Sequence, residues 1–195
     1  MLGVCLDASP FPILEWNDSE CNIENQESSN YTVCLALEEI LDPMNVGAIM
    51  RSAQYFGVDT LFIPKGSSCK LSPIVSKASS GALEVLNIYQ VDKLNTFLQN
   101  KKAQGWSIVS TTAYNEEIKV PKQIYDVAEI SVSQSTILIL GNESRGVSPE
   151  VQKLCDFFIS IPPKKDLHEG IDSLNVSVAA GVILHSLSSK AKNHC

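Results

Sequence analysis

Apolar residues in this chain fall in short dense runs, and these alternate with longer segments in which apolar positions recur every three or four residues. "YTVCLAL", "DTLFIP", "LNIYQV", "WSIVSTT", "TILIL" and "FFISIP" are short and almost continuously apolar, as strands buried on both faces of a sheet must be. Between and after them lie the helical segments "NVGAIMRSAQYFG", "PIVSKASSGA", "DKLNTFLQNKKAQG", "SPEVQKLC" and "SLNVSVAAGVILHSLSSK". The alternation predicts an α/β fold, a parallel sheet with helices on both faces. Residues 1–30, with "NDSECNIENQESSN", are polar and acidic without a period and read as a flexible lead-in, so the organised domain is expected over 31–195. No internal repeat is visible.

Three polar clusters interrupt this pattern in loops or at helix starts. In "DPMNVGAIMRSAQYFG", Ile49, Ala53 and Phe56 form one buried stripe, and Arg51 projects about 200° around the helix from Ile49, away from it. A solvated Arg51 and a helix-capping Asn45 are the plain structural readings. "GNESRGVSPE" follows the strand "TILIL", where open α/β sheets bind ligands. Its plain reading is a glycine turn with solvated Glu143 and Arg145, then a helix capped by Ser148 with Pro149 at its first position. In "IPPKKDLHEGIDSLNVSVAAG", Ser173 is a candidate cap for the last helix, but capping by Ser173 leaves the polar Asn175 in an apolar first turn unexplained.

Composition narrows the picture. A length of 195 residues suits one substantial domain, and 44% hydrophobic with 19% charged residues suits an ordinary globular core. The net charge of −7 argues against non-specific binding to nucleic acid, so an RNA partner has to meet a local basic patch or be delivered by another domain. Six cysteines without a CxxC pair and three histidines point to neither a metal site nor a disulfide framework, and read as free thiols in a reducing compartment. No apolar run reaches membrane-spanning length, so no membrane partner is expected, and the N-terminus lacks the character of a transit peptide. Phosphate-loop signatures such as GxxxxGK[ST] are absent, against a generic nucleotide-binding protein.

Taken together and in order, "DPMNVGAIMRSA", "ILGNESRGV" and "IP…SLNVSVAAG" resemble the three motifs of the SpoU/TrmH family of RNA 2′-O-ribose methyltransferases, of the SPOUT class. With "SCKLSPIVSKASSGALEV", the chain looks closest to the mitochondrial large-subunit rRNA enzymes of that family, which act on guanosine. The resemblance implies a Rossmann-like parallel sheet with a C-terminal deep trefoil knot, an exception to the usual absence of knots. It implies S-adenosylmethionine as cofactor, held by loops around 141–147 and 161–175, RNA as substrate, and a homodimer built on the knot region and final helix. "MLGVCLDASPF" resembles the linker that follows an N-terminal RNA-binding domain in relatives. An isolated catalytic domain is therefore expected, with the RNA-binding domain and any import signal upstream. A mitochondrial matrix location is implied, with a cytoplasmic one as the alternative.

Carried over residue by residue, the resemblance makes Arg51 the catalytic arginine, with Asn45 positioning it or a substrate phosphate. A guanidinium pKa above about 12 sits badly with a general base and better with gripping phosphate and polarising the hydroxyl. Glu143 is the nearest carboxylate, able to take a proton or orient Arg51, or else to anchor its own loop. Ser173 and Asn175 match the pair that places ribose and cofactor. The cofactor pocket is expected mainly from main chain at Thr111, Leu140, Gly141, Ile161 and Leu174, with Gly141 permitting close approach. Ser144 stands where glycine is common, and 162–172 is longer and more charged than usual. A tRNA methyltransferase and a catalytically silent ribosome-assembly factor are the rival readings.

Overall fold

The computed structural model describes residues 11–17, 31–113, 122–168 and 173–191. Eight strands form one sheet: β1 (Leu14–Glu15), β2 (Val33–Leu37), β3 (Thr60–Pro64), β4 (Ile88–Val91), β5 (Ser107–Thr111), β6 (Ile124–Asp126), β7 (Thr136–Leu140) and β8 (Phe157–Ser160). The helices are α1 (Pro43–Tyr55), α2 (Pro73–Ser79), α3 (Leu94–Ala103), α4 (Pro149–Leu154) and α5 (Val176–Ala191). Every strand pair runs parallel, in the order β1-β4-β3-β2-β7-β5-β8-β6. The expected parallel α/β sheet is present.

Because side chains alternate across a strand, a continuously apolar strand feeds two cores. Leu35, Leu37, Leu61, Ile63, Leu138 and Leu140 pack on one face with Ile49 and Ala53 of α1, Val75 of α2 and Ile183 and Leu184 of α5. Their neighbours Cys34, Ala36, Phe62, Ile137 and Ile139 pack on the other with Phe97 and Leu98 of α3 and Val151 of α4. At about 25 cal/mol per Å² of apolar surface, this double burial is the main force holding the sheet between its helices. Strand β7 is central to it, paired along its length with β2 and also with β5, and all five of its residues are buried.

The late strands are inserted between early ones. The chain builds β2, β3 and β4 outward, crosses to β5 and β6, and only then places β7 between β2 and β5 and β8 between β5 and β6. The carboxyl ends of β7, β5 and β8 are thereby side by side.

The structure revises several local expectations. Residues 11–17, read above as lead-in, contribute edge strand β1 and the indole of Trp16, whose ring meets Phe62, Tyr89 and Phe97 edge-on at 5.2, 5.2 and 5.9 Å. The Lys101 ammonium lies 4.8 Å over the same ring. A short apolar patch within an acidic stretch carries no periodicity, so sequence pattern passes over it. The remainder of 1–30 lies outside the described residues. Asn45 does not cap α1, because Asp42 does so, accepting from the Met44 N–H at 3.1 Å with Pro43 at the first position. Ser148 caps α4 as expected.

Cys34, Cys69 and Cys155 are free thiols. Burial pushes the Cys155 thiol up to about 12 and raises Cys34 as well, so neither holds a reactive thiolate near neutrality. In the folded chain at pH 8, iodoacetamide is expected to leave both unmodified, and to label both once urea unfolds the domain. Rapid labelling without unfolding would contradict their burial.

Candidate active site

Three segments distant in sequence meet at the carboxyl edge of the sheet. The first is the hairpin after β7. Asn142 and Gly146 pair as an antiparallel bridge, and the Asn142 carboxamide oxygen accepts from the N–H groups of Ser144 and Arg145 at 3.0 and 3.2 Å, tightening the turn from within. Gly146 has φ of +63°, which favours glycine. A Cβ on Gly141 would collide with the backbone of Gly146 and Val147. Glycine at 141 is thus required by closure of the hairpin itself. Ser144 has no positive φ, so serine stands there without backbone cost.

The hairpin is fastened to the end of β2. The Glu38 carboxylate accepts from the Ser148 N–H at 3.0 Å and from its hydroxyl at 2.6 Å, while the Glu38 N–H donates to the Leu140 carbonyl at 2.9 Å. The Asn142 amide donates to the Glu39 carbonyl at 3.1 Å, and the Arg145 guanidinium pairs with the Glu39 carboxylate at 2.7 Å. That last pair is exposed and contributes little by itself, about 0–1 kcal/mol. Glu143 is left at the tip, exposed.

From there a hydrogen-bonded chain runs through the other two segments. Asn45, in the first turn of α1, donates to Glu143 Oε1 at 2.9 Å. Asn175 donates to Asn45 Oδ1 at 3.0 Å. The Asn175 carboxamide oxygen accepts from the Ser177 N–H at 2.9 Å, the Ser177 hydroxyl at 2.6 Å and the Val178 N–H at 3.4 Å, so Asn175 is the cap of α5. Ser173 was the expected cap. The polar residue lies just before the first turn, facing both the helix end and Asn45. Asn45 uses both ends of its amide, which fixes its orientation and presents Glu143 as a carboxylate with one oxygen committed.

Arg51 lies about 9 Å further along α1 than Asn45. It is exposed and donates from Nη1 to Ser80 Oγ at 3.1 Å, outside the Asn175–Asn45–Glu143 chain. Ser173 and Leu174 are exposed beside Asn175, Leu174 with 49% of its surface open.

The residues expected to hold a cofactor cluster by strand. Thr111 ends β5, Leu140 ends β7 with Gly141 next, and Ile161 follows β8. The Leu140 side chain is wholly in the core, which leaves it no surface for a ligand. Thr111 and Ile161 are half-buried. Beside them is a group the sequence reading missed: the Ser160 hydroxyl is buried at the end of β8 with no hydrogen-bond partner among the described residues. A serine ending an apolar strand was the available signal. Glu38, Glu39 and Asn142 were also missed as supports. An open cleft of about 430 Å³ at the same edge, lined by Glu38, Glu39, Lys65, Asp92 and Lys93 near the ends of β2, β3 and β4, is too charged to suit an adenine ring. Among the described residues no group of side chains could hold a metal ion.

Comparison with known proteins decides the family. The model of the SpoU rRNA methylase family matches residues 32–185. The chain belongs to the SpoU rRNA methylase family. It is 40% identical to human "rRNA methyltransferase 1, mitochondrial" over 97% of this chain and 54% of that protein. Across the mitochondrial relatives it matches, the chain spans about half of their length or less. Among solved structures it is similar to the TrmH/SpoU tRNA modifying enzyme of A. aeolicus, with TM-score 0.67 and 28% identity over 81% of this chain and 74% of that one. The SpoU methyltransferase AviRb of Streptomyces viridochromogenes, crystallised with AdoMet, shares the fold at TM-score 0.69, with 24% identity over 86% and 64% of the two chains.

Replacing Asn175 tests the capping geometry. Asn175→Ala is expected to lower unfolding free energy in urea by about 0.5–2 kcal/mol, and Asn175→Asp, which keeps a capping oxygen, to recover most of it. Equal losses in both variants would contradict the cap.

Proposed function

We propose that this SpoU-family chain transfers a methyl group from S-adenosylmethionine to a ribose 2′-hydroxyl of RNA, with a guanosine of mitochondrial large-subunit rRNA as the substrate. The observation that carries this reading is the meeting of Asn45, Glu143 and Asn175, from three separated segments, next to the strand ends of β5, β7 and β8. The names of the mitochondrial relatives support the rRNA target and a mitochondrial location.

The residues at these strand ends fit the cofactor. Half-buried Thr111 and Ile161 and exposed Leu174 supply apolar walls for a flat base with polar edges. The unpartnered Ser160 hydroxyl is a polar group awaiting a partner at the same place. The hairpin bonds hold the main chain around Gly141 still, with the Leu140 carbonyl accepting from the Glu38 N–H. When bound, S-adenosylmethionine supplies an electrophilic methyl carbon with a neutral thioether as leaving group.

The chain's own tasks are then alignment and proton removal. Arg51, exposed on α1 and always charged, is suited to grip the phosphate beside the target ribose and to polarise its hydroxyl. Asn45 holds Glu143, whose second oxygen remains open to take the 2′-hydroxyl proton directly or through water. Asn175, bonded to Asn45, and the neighbouring Ser173 are suited to position the ribose. Correct placement by such groups contributes several kcal/mol to the barrier reduction.

The insertion of β7 and β8 between earlier strands supports a deep trefoil knot in the C-terminal part of the fold. A homodimer is supported by α5, whose inner face carries Ala180, Ile183, Leu184 and Leu187 while Val178 and Val182, one turn apart on the outside, are each at least 40% exposed.

Calorimetric titration of S-adenosylmethionine into the chain is expected to show saturable binding that is lost in Gly141→Trp, which breaks the hairpin closure. Arg51→Ala is expected to keep that binding and to slow methyl transfer to a large-subunit rRNA transcript roughly 10²- to 10³-fold. Binding without any transfer by the unaltered chain would favour a silent assembly factor, and no binding by the folded chain would overturn the pocket.

A further inference from the structure

The hydrogen bond from Arg51 to Ser80 raises a question that capping of α2 does not answer. Helix α2 ends in two consecutive left-handed residues, Ser80 at φ 52°, ψ 40° and Gly81 at φ 94°. Such positions favour glycine or asparagine, and an L-residue with a Cβ there costs on the order of 1 kcal/mol. Among the described residues, Ser80 and Glu39 are the two non-glycine residues with positive φ. Glu39 has its compensation in the hairpin bonds. A serine at 80 has to be explained by its hydroxyl.

We propose that Ser80 is a positioning residue for Arg51, holding its guanidinium in one orientation for methyl transfer; the assignment rests on the reading of the site given above. Three observations converge on it. The first is how α1 and α2 approach each other. A Cβ on Gly47 would lie 2.8 Å from the Val75 carbonyl oxygen and 2.9 Å from the Ser79 nitrogen, so only glycine lets the two backbones come this close. Arg51 is one turn beyond Gly47 on the same flank of α1, and close approach at Gly47 brings the end of α2 under its side chain.

The second is the preset shape of the turn. The buried Ser79 hydroxyl donates to the Ser76 carbonyl at 2.9 Å and accepts from the Leu83 N–H at 3.2 Å, and the Ser76 hydroxyl donates to Glu84 at 2.6 Å. These bonds fix the turn from inside. Ser80 is left on the outside with its hydroxyl free to face α1.

The third is the nature of the partner. Among the described residues Arg51 makes no ion pair, and its acceptor is a neutral hydroxyl. A carboxylate in that place would orient the guanidinium but neutralise the charge an RNA phosphate needs. A hydroxyl orients one N–H and leaves the charge and the other donors available.

The test uses the unaltered chain, Ser80→Gly, Ser80→Asn and Arg51→Ala. Gly removes the acceptor and relaxes the backbone, so a fall in activity cannot come from a destabilised turn. Asn adopts the left-handed region readily and restores a neutral acceptor. Two readouts are taken: the single-turnover rate of methyl transfer from S-adenosylmethionine to a large-subunit rRNA transcript, and the NMR signals of the Arg51 guanidinium in the chain alone. Ser80→Gly is expected to melt no lower than the unaltered chain, to bind S-adenosylmethionine equally, and to transfer roughly ten- to a hundredfold more slowly. Its Arg51 Nη signals should collapse to those of a freely rotating side chain, and Ser80→Asn should recover both. An unaltered rate, or equally ordered Arg51 signals, in Ser80→Gly overturns the positioning role. If Arg51→Ala transfers as fast as the unaltered chain, or the unaltered chain transfers nothing, it is the underlying site reading that falls, and the NMR signals still report whether Ser80 holds Arg51.

Discussion

Glu143 stands at the tip of a hairpin, and a carboxylate on a free tip would sample many positions and select none. What removes that freedom is the fastening of the hairpin to the end of β2, through Glu38 to Ser148 and through Glu39 to Asn142 and Arg145. Singly these bonds are modest, about 0–1 kcal/mol for the exposed Arg145–Glu39 pair and about 0.5–1.5 kcal/mol for the neutral amide bond from Asn142. Acting together on one short loop, they convert a surface turn into a fixed platform. The bond from Asn45 to Glu143 then joins two rigid elements, and the further bond from Asn175 ties in the start of α5. If the platform were loose, the three segments would share an edge of the sheet without forming a site.

The fold explains why these segments can meet at all. A sheet whose strands are all parallel sends every carboxyl end to one edge, and inserting β7 and β8 among earlier strands brings late loops beside early ones. Glycine makes two close approaches possible. Gly141 closes the hairpin on its own backbone, and Gly47 lets α2 pack against α1. In both places the missing side chain serves packing between protein segments, which then determines where polar side chains point.

Much of this was legible in the sequence, for identifiable reasons. Continuously apolar runs such as "TILIL" announce a doubly covered strand, and both of its faces are buried as that requires. Ser148 and Pro149 mark a helix start by local chemistry alone, and the structure agrees. Asn175 was singled out because no apolar helix needs it, and it proves to be both cap and link. The misses share a different cause. Asp42 rather than Asn45 caps α1, because Pro43 fixes the first helical position two residues earlier than the periodic pattern begins. β1 and Trp16 were hidden in an acidic stretch too short to show a period. The supporting roles of Glu38 and Glu39 depend on contacts more than a hundred residues away in sequence, which no local pattern encodes.

The central claim is that the strand ends of β7, β5 and β8, and not the charged cleft by β3 and β4, form the cofactor side of the site. Backbone amide NMR during titration with S-adenosylmethionine tests it most directly. Saturable shifts are expected at Thr111, Gly141, Ile161 and Leu174, with little change at Lys65, Ser67 and Lys93. Shifts concentrated at those last three residues, with Gly141 and Ile161 unmoved, would contradict it.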